Sequence, residues 1–512
     1  MEALKKGEGA IAVRLVRVHL ANLPSDATAI YLHGTALKTY DPGDEPVRWF
    51  LRSIGLMPGS AIPLAAVASV LIERADRPAA ARFFRRSLAL EPGSGIYAVS
   101  LSTSVERTDV APGKKWLVRA LAIDPLNPVA HGNLGIALRR RGRLDEAGRE
   151  SRKALALQPE QPESLNNLAI LAIRGERLAE AETWTTRAMA CRAGFAEGIW
   201  NRAVARLLAG RLAEAWPDAE ARFDVPGAQK HHYSRERRWR GETAPGRTLL
   251  TFAEQGLGDT VHFCRFAPLA ARRGVRTILA VQPRLVRLLK TLRGVDEVVA
   301  ADGNEPRHDW NCPLMSLPGI FGTTVDTIPA AIPYLAANEA GRLAWRARLD
   351  ATKALRVGLS WQGNPGHLDD DRRSFPLSAL DGLRRMTDIQ FVAMRVTPEP
   401  LPSEWPAMLD AAAWQKDMAD TADLLAELDL LITCDTAVAH VAGALGRPVW
   451  TLLAHAADWR WMTKRADTPW YPTMRLFRQP RPGDWRSVAG EVERALAAMD
   501  RHTPGVGRAR PN

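Results

Sequence analysis

The sequence predicts an α-solenoid followed by an α/β module of two Rossmann-like lobes. Three observations carry this. Proline, asparagine and alanine recur at intervals of 33 or 34 residues through the first 225 positions. Beyond Thr248, short apolar, strand-like runs alternate with helical patterns, twice over. At 512 residues the chain is also too long for one hydrophobic core.

The repeat is countable. Pro58, Pro92, Pro125 and Pro159 stand 34, 33 and 34 residues apart, and Asn133, Asn167 and Asn201 stand 34 apart, as do Ala147, Ala181 and Ala215. Leu134-Gly135 and Leu168-Ala169 share one repeat position, and Ala154 and Ala188 another. Small residues at Gly135, Ala147, Ala169 and Ala181 let two helices approach closely. Gly142 and Gly210 are placed to end the first helix of a pair, where positive φ is wanted. Proline ends the second helix by blocking its continuation. This pattern resembles the tetratricopeptide repeat (TPR). Three clear copies fall at about 128–161, 162–195 and 196–225, and weaker ones at about 27–60, 61–94 and 95–127, so residues 27–225 read as a TPR α-solenoid of about six repeats. Such a stack has a concave face and carries no chemistry of its own, so the expected partner is a protein or peptide held in its groove.

Residues 226–247 hold Pro226, Pro245 and a basic cluster of Lys230, His231, His232, Arg235, Arg237, Arg238 and Arg240, and read as a linker. Residues 248–350 then form a first lobe. Leu249–Phe252, Val275–Val281 and Val298–Ala300 are its strands, with helices between them. Residues 355–498 form a second, with strands at Val357–Trp361, Ile389–Met394, Leu428–Thr433 and Val449–Leu453. Strands alternating with helices imply parallel sheets. Two such lobes in tandem are the outline of a GT-B fold.

Composition narrows the function. The longest apolar run, near Leu64–Ile72, is about half the ~20 residues a membrane helix needs. The N-terminus has no sustained apolar stretch after Lys5-Lys6, so the expected compartment is the cytoplasm. Cys191, Cys264, Cys312 and Cys434 are far apart, which argues against zinc or disulfides and for reduced, mostly buried thiols. The net charge of +12 suits phosphorylated ligands, nucleic acid or an anionic membrane surface. The basic residues are spread along the chain and no nucleic-acid-binding motif is present, which argues against nucleic acid.

Four stretches carry candidate chemistry. Glu254-Gln255-Gly256-Leu257-Gly258-Asp259 is a strand-to-helix turn whose glycines allow close backbone approach. Val261 replaces the third glycine of a dinucleotide fingerprint. Asp259 either caps the helix or takes a proton from an acceptor hydroxyl. Cys434-Asp435-Thr436-Ala437-Val438-Ala439-His440 lies where a buried strand turns into a helix. Its helix N-terminus favours a diphosphate, with His440 one turn in. There Asp435 or Thr436 either caps the helix or binds ligand. Trp361-Gln362-Gly363-Asn364 leads to His367 and Asp369-Asp370-Asp371-Arg372-Arg373, where arginine either clamps phosphate or lines a solvated loop. Three consecutive carboxylates do not easily face one ion, so no metal is expected. Asp458-Trp459-Arg460-Trp461 and Thr468–Arg478 are dense in aromatics and read as loop, either stacking a base or sugar or packing between lobes.

Together, Glu254–Asp259, Asp435–His440, Asp458–Trp461 and Trp470–Arg478 resemble TPR proteins with a C-terminal glycosyltransferase family 9-like module, related to heptosyltransferases. The resemblance runs over residues 248–495. It implies an inverting, metal-independent transfer of a hexosyl- or heptosyl-type sugar from a nucleotide-sugar co-substrate to a protein or glycan acceptor, without a further cofactor. It implies Asp259 as base and Asp435, Thr436 and His440 on the donor's diphosphate. Arg373 matches more loosely a basic residue that offsets leaving-group charge. Gly256, Gly258, Trp361, Gly363, Asn364 and Ala437 complete the expected donor site. Met394-Arg395 and His262 depart from the family's usual Leu-Gln and Gln. The alternative is a non-catalytic TPR scaffold with a degenerate sugar-nucleotide-binding module.

Overall fold

The computed structural model describes residues 9–39, 44–105, 110–229, 231–349, 353, 355–366, 370–395, 401–405 and 407–499. Lys230, His367 and Asp369 lie outside them. The chain divides into two compact units. One runs to Leu171 and includes Thr183–Phe195; the other joins Ala172–Glu182 to everything from Ala196 onward.

The first unit is built of helices in antiparallel pairs: Ala27–Lys38 with Glu45–Leu56, Ala61–Glu73 with Arg77–Leu90, Gly95–Val105 with Val110–Ile123, and Pro128–Arg140 with Leu144–Leu157. Pro162–Arg174 and Leu178–Cys191 continue the pattern, and Ala196–Leu208 with Leu212–Ala219 forms the same kind of pair in the second unit. These are TPR-like hairpins at the spacing the sequence predicts. A further helix, Gly9–Asn22, precedes them.

The repeat residues have distinct physical jobs. Helices end at Leu56, Leu90, Ile123 and Leu157, each two residues before its proline. The turn inside a pair takes left-handed backbone at Ala75 (φ 63°), Gly142 (75°), Glu176 (54°) and Gly210 (76°), so glycine relieves strain at only two of these four turns. At Gly135 a Cβ would stand 2.6 Å from Ser151 Oγ and 3.1 Å from the Ala147 carbonyl, so the close approach excludes any larger residue. Asn167 is buried. Its Nδ2 donates to Ser151 Oγ at 2.7 Å and its Oδ1 accepts from Arg139 Nε at 2.6 Å, which ties neighbouring hairpins together.

The second unit holds two parallel sheets. In the first, β1 (Thr248–Phe252), β2 (Arg276–Val281), β3 (Glu297–Ala300) and β4 (Trp310–Pro313) lie in the order β3-β2-β1-β4. In the second, β5 (Leu355–Ser360), β6 (Ile389–Ala393), β7 (Leu409–Asp410), β8 (Leu430–Cys434), β9 (Val449–Leu453) and β10 (Met474–Arg478) lie in the order β10-β9-β8-β5-β6-β7. The helices that matter for the site are α1 (Leu257–Phe263), α2 (Pro283–Leu289), α3 (Met418–Leu425) and α4 (Ala437–Ala444). Two Rossmann-like lobes are therefore present, as expected.

Three strands escaped the sequence reading: β4, β7 and β10. The stretch Thr468–Arg478, expected to be loop, ends in an edge strand. Pro472 and two arginines hide its alternation, and Arg475 lies across its own strand face over Phe477 (4.5 Å) and Trp450 (5.8 Å).

Residues 231–240 lie against the first sheet. Trp239 is buried and its backbone N–H donates to the Asn311 carbonyl (3.0 Å), while Asn311 Nδ2 donates to the Ser234 carbonyl (2.9 Å). Tyr233 covers Phe252, with ring centroids 4.2 Å apart, on the face formed with Leu250, Ile278 and Ala280.

The helical pair Ala196–Ala219 shares one core with both lobes: Leu207, Leu208, Leu212 and Trp216 pack in the cluster that holds Phe263, Trp459 and Trp461. Just beyond it, Arg222 is buried against Glu254. Arg222 Nε and Nη2 donate to the two carboxylate oxygens at 2.8 and 3.0 Å, and Glu254 also accepts the Met315 N–H at 3.1 Å. Such a pair is destabilising to break because the surviving charge stays buried. Glu254→Ala is expected to cost about 3–5 kcal/mol, read as a lower urea midpoint for the second unit. Glu163→Ala, which removes the exposed partner of Arg192, is expected to change stability by less than about 1 kcal/mol.

Candidate active site

The turn after β1 is set by its own helix. The Gly256 N–H donates to Asp259 Oδ2 at 2.8 Å, so Asp259 does cap the start of α1. Its other oxygen, Oδ1, accepts from Arg460 Nη2 of the second lobe at 2.5 Å. Gly258 is one of the places where the two lobes touch. A Cβ there would stand 2.8 Å from His440 Cδ2 and 3.3 Å from Ala437 Cα, both on α4. Glycine at 258 is thus what allows the first turns of α1 and α4 to meet.

At the end of β8, Thr436 holds the N-cap position of α4 but makes no capping bond, and its hydroxyl lies 3.3 Å from Thr433 Oγ1. Among the described residues no side chain accepts from the first N–H groups of α4, which suits an anion. Burial and the neighbouring Asp458 carboxylate push the Asp435 carboxyl above its ordinary range, against the pull of Trp461, Arg373 and Arg460. The Trp461 indole N–H is nonetheless buried without an acceptor at hydrogen-bonding geometry.

The loop after β5 contributes unevenly. Arg373 Nε donates to Asp370 Oδ1 at 3.0 Å, and Arg373 acts electrostatically on Asp435. Gly363 donates its N–H to Ser374 Oγ (2.9 Å); a Cβ there would collide with the Asp370 carboxylate and lie 2.8 Å from Arg373 Nη2. Trp361 is buried in the second lobe's own core, and the exposed Asn364 turns its Oδ1 onto the Gly366 N–H (3.0 Å). Asp259, Gly256, Gly258, Ala437 and His440 thus converge, with Asp435, Thr436, Gly363 and Arg373 beside them. Trp361 and Asn364 are engaged within their own loop and core.

His440 is the best-supported side chain of the group. It is 5% exposed, its Nδ1 lies 3.0 Å from Tyr471 Oη, and its ring stacks on Trp461 at 5.3 Å. His262 Nδ1 reaches the same phenol at 3.2 Å. A phenol has one proton to give and two lone pairs to accept with, so at most one of the two imidazoles takes its proton. His262 Nε2 is buried with no partner among the described residues. Placing the His262 proton on Nδ1, toward the phenol, strands no buried N–H there; with the phenol's own proton given to His440 Nδ1, His440 carries its proton at Nε2, beside Gly258. Arg265 closes the network: Nε to the His262 carbonyl (2.8 Å), Nη1 to the Trp470 carbonyl (2.6 Å) and Nη2 to Tyr334 Oη (2.9 Å).

The sequence reading flags Arg460 and Tyr471 only within aromatic motifs and His262 only as a departure from the family pattern, and it does not single out Arg265. Trp459, Trp461, Trp470 and Tyr471 are all buried. Of the two readings left open for this stretch, the structure shows packing between lobes.

Comparison with known proteins bears on this site directly. Residues 415–481 match the family model for glycosyltransferase family 9 (heptosyltransferase). The matched stretch contains Asp435–His440, Asp458–Trp461 and Tyr471, and ends within the second lobe. Protein FlbA of Caulobacter vibrioides is 28% identical over 308 residues, which is 54% of this chain and 49% of FlbA, so the match spans about half of that relative. Solved structures with some likeness include the APC/C hetero-tetramer Cut9–Hcn1 (13% identity, TM-score 0.40, 44% of this chain and 45% of that one). Another is YrrB, a TPR protein with an unusual peptide-binding site (15% identity, TM-score 0.30, 37% and 97%). The chain is glycosyltransferase-like, with a TPR-like region. No helix among the described residues is long and apolar enough to cross a membrane.

Burial holds both His262 and His440 far below the ordinary histidine value of 6.5, aided by Arg265 beside both and Arg460 beside His440. The unfolded chain takes up protons at these positions as the pH falls through 6.5; the fold does not. The second unit is therefore expected to lose stability from pH 7.5 to 5, with its tryptophan-fluorescence melting point falling by several degrees. His262→Gln should flatten that dependence.

Proposed function

We propose that this protein is an inverting, metal-independent glycosyltransferase that moves a hexosyl- or heptosyl-type sugar from a nucleotide-sugar donor to a protein or glycan acceptor in the cytoplasm. Its TPR region would recruit the acceptor or a protein partner. One observation carries the reading: Asp259, from the first lobe, and the uncapped start of α4 with His440, from the second, meet through Gly258. A carboxylate on one side and an anion-favouring helix end on the other is what transfer from a diphosphate needs.

In this reading the donor's diphosphate lies at the first turn of α4, on its free N–H groups and the His440 Nε2–H. Asp435, Thr436 and Ala437 frame it, and Arg373 offsets charge at the rim. The acceptor hydroxyl gives its proton to Asp259 as its oxygen bonds to the anomeric carbon. The bond to the diphosphate breaks on the opposite face, and the nucleoside diphosphate leaves with the electron pair. Donors fixed where that charge develops lower the barrier most.

The competing reading, a non-catalytic scaffold with a degenerate donor site, draws on one fact: both Asp259 oxygens are already engaged. Incubating the purified chain with a panel of nucleotide sugars separates the two. Donor hydrolysis or transfer is expected, falling by about 100-fold or more in Asp259→Ala and in His440→Ala. Turnover that survives both substitutions sinks the site assignment, and donor binding without turnover favours the scaffold.

A further inference from the structure

Arg460 is the group that the proposed reaction leaves unused, and its surroundings are unusual. Its side chain is almost wholly buried between the lobes. Nη1 and the backbone N–H both donate to Asp458 Oδ1, at 2.8 and 3.0 Å, and Nη2 donates to Asp259 Oδ1 at 2.5 Å. The guanidinium lies over Trp459 (4.4 Å) and Phe263 (5.2 Å), which fix its plane. Its Nε is buried with no acceptor among the described residues. Asp435, the residue before the Thr436 N-cap, interacts electrostatically with both Arg460 and Asp458.

One cation therefore joins a first-lobe carboxylate to a second-lobe carboxylate beside the start of α4, with its Nε–H unspent among the described residues. A fork of N–H groups suits a diphosphate better than it suits one oxygen of each of two carboxylates. We propose that Arg460 is the donor-sensing residue of this module: on donor arrival its guanidinium transfers from Asp259 to the diphosphate oxygens and frees Asp259 Oδ1 to accept the acceptor's proton. This rests on the glycosyltransferase reading and deepens it. The base is withheld until the donor is seated. At transfer the proton passes to Asp259, the electron pair leaves with the diphosphate, and Arg460 faces the charge that develops.

The exchange makes Asp259 and the diphosphate competitors for one cation, and competition is a coupling free energy that a variant can remove. The test is calorimetric titration of the full chain with UDP, GDP, ADP and CDP. Asp259→Asn is expected to tighten binding of whichever nucleoside diphosphate binds the wild type, by about five- to tenfold, even as it abolishes transfer. Arg460→Gln should weaken binding about tenfold or more, and the double variant should show no gain over Arg460→Gln. Arg460→Lys, which keeps the charge on a flexible stem, should bind between the two single variants. The Asp259→Asn arm stands even where an Arg460 variant fails to fold. Unchanged or weaker binding in Asp259→Asn, with a wild type that binds, overturns the exchange and leaves the glycosyltransferase reading intact. The same gain in the presence and absence of Arg460 also overturns it. A wild type that binds no nucleoside diphosphate brings down the glycosyltransferase reading and this inference together.

Discussion

The contact on which the second unit depends is the meeting of α1 and α4 at Gly258. Each helix presents the positive end of its dipole there, and each carries backbone N–H groups without intrahelical partners. Two such ends repel unless negative charge lies between them. Three carboxylates supply it: Asp259 on α1, Asp435 just before α4, and Asp458 on the neighbouring turn. Arg460 then knits two of these carboxylates together. A side chain larger than hydrogen at 258 would meet His440 at 2.8 Å and separate the helices, and with them the lobes.

The aromatic residues make this arrangement possible by keeping water out. Trp459, Trp461, Trp470 and Tyr471 fill the space around His262, His440 and Arg265, and the same core takes in Trp216 and Leu208 from the last helical pair. In such a setting electrostatic interactions strengthen, and an unpaired group is costly. Among the described residues Arg265 has no carboxylate partner; it is satisfied by two carbonyls, a phenol and the faces of Tyr334 and Tyr471 at 4.6 and 4.4 Å. Cation and rings together hold Tyr471, and Tyr471 holds both imidazoles.

Much of this was legible in the sequence, because periodicity and punctuation are local. The 34-residue spacing located the hairpins, glycine after a strand located the β1–α1 turn, and the switch from a buried strand to a helical pattern located the β8–α4 turn. The strands that went unseen are short or sit at an edge, where a proline or an exposed arginine breaks the alternation. Partnership across long separations was not legible at all. Arg460 lies 201 residues from Asp259, and Arg222 lies 32 from Glu254 across a change of fold class. No local pattern distinguishes a buried arginine that bridges lobes from one on a solvated turn.

These long-range partners change how the helical region relates to the proposed chemistry. The hexapeptide Glu254–Asp259 is pinned at both ends by arginines, Arg222 at Glu254 and Arg460 at Asp259. Arg222 follows directly on the last helical pair, whose Trp216 donates to the Thr323 carbonyl at 2.8 Å and whose Leu208 carbonyl accepts from Thr463. The turn that presents Asp259 is therefore braced from one side by a helical hairpin and from the other by the second lobe. That hairpin, although TPR-like in form, is a structural part of the α/β unit. A displacement of Ala196–Ala219 would be felt first at Glu254 and the turn, and so at the cap that orients Asp259.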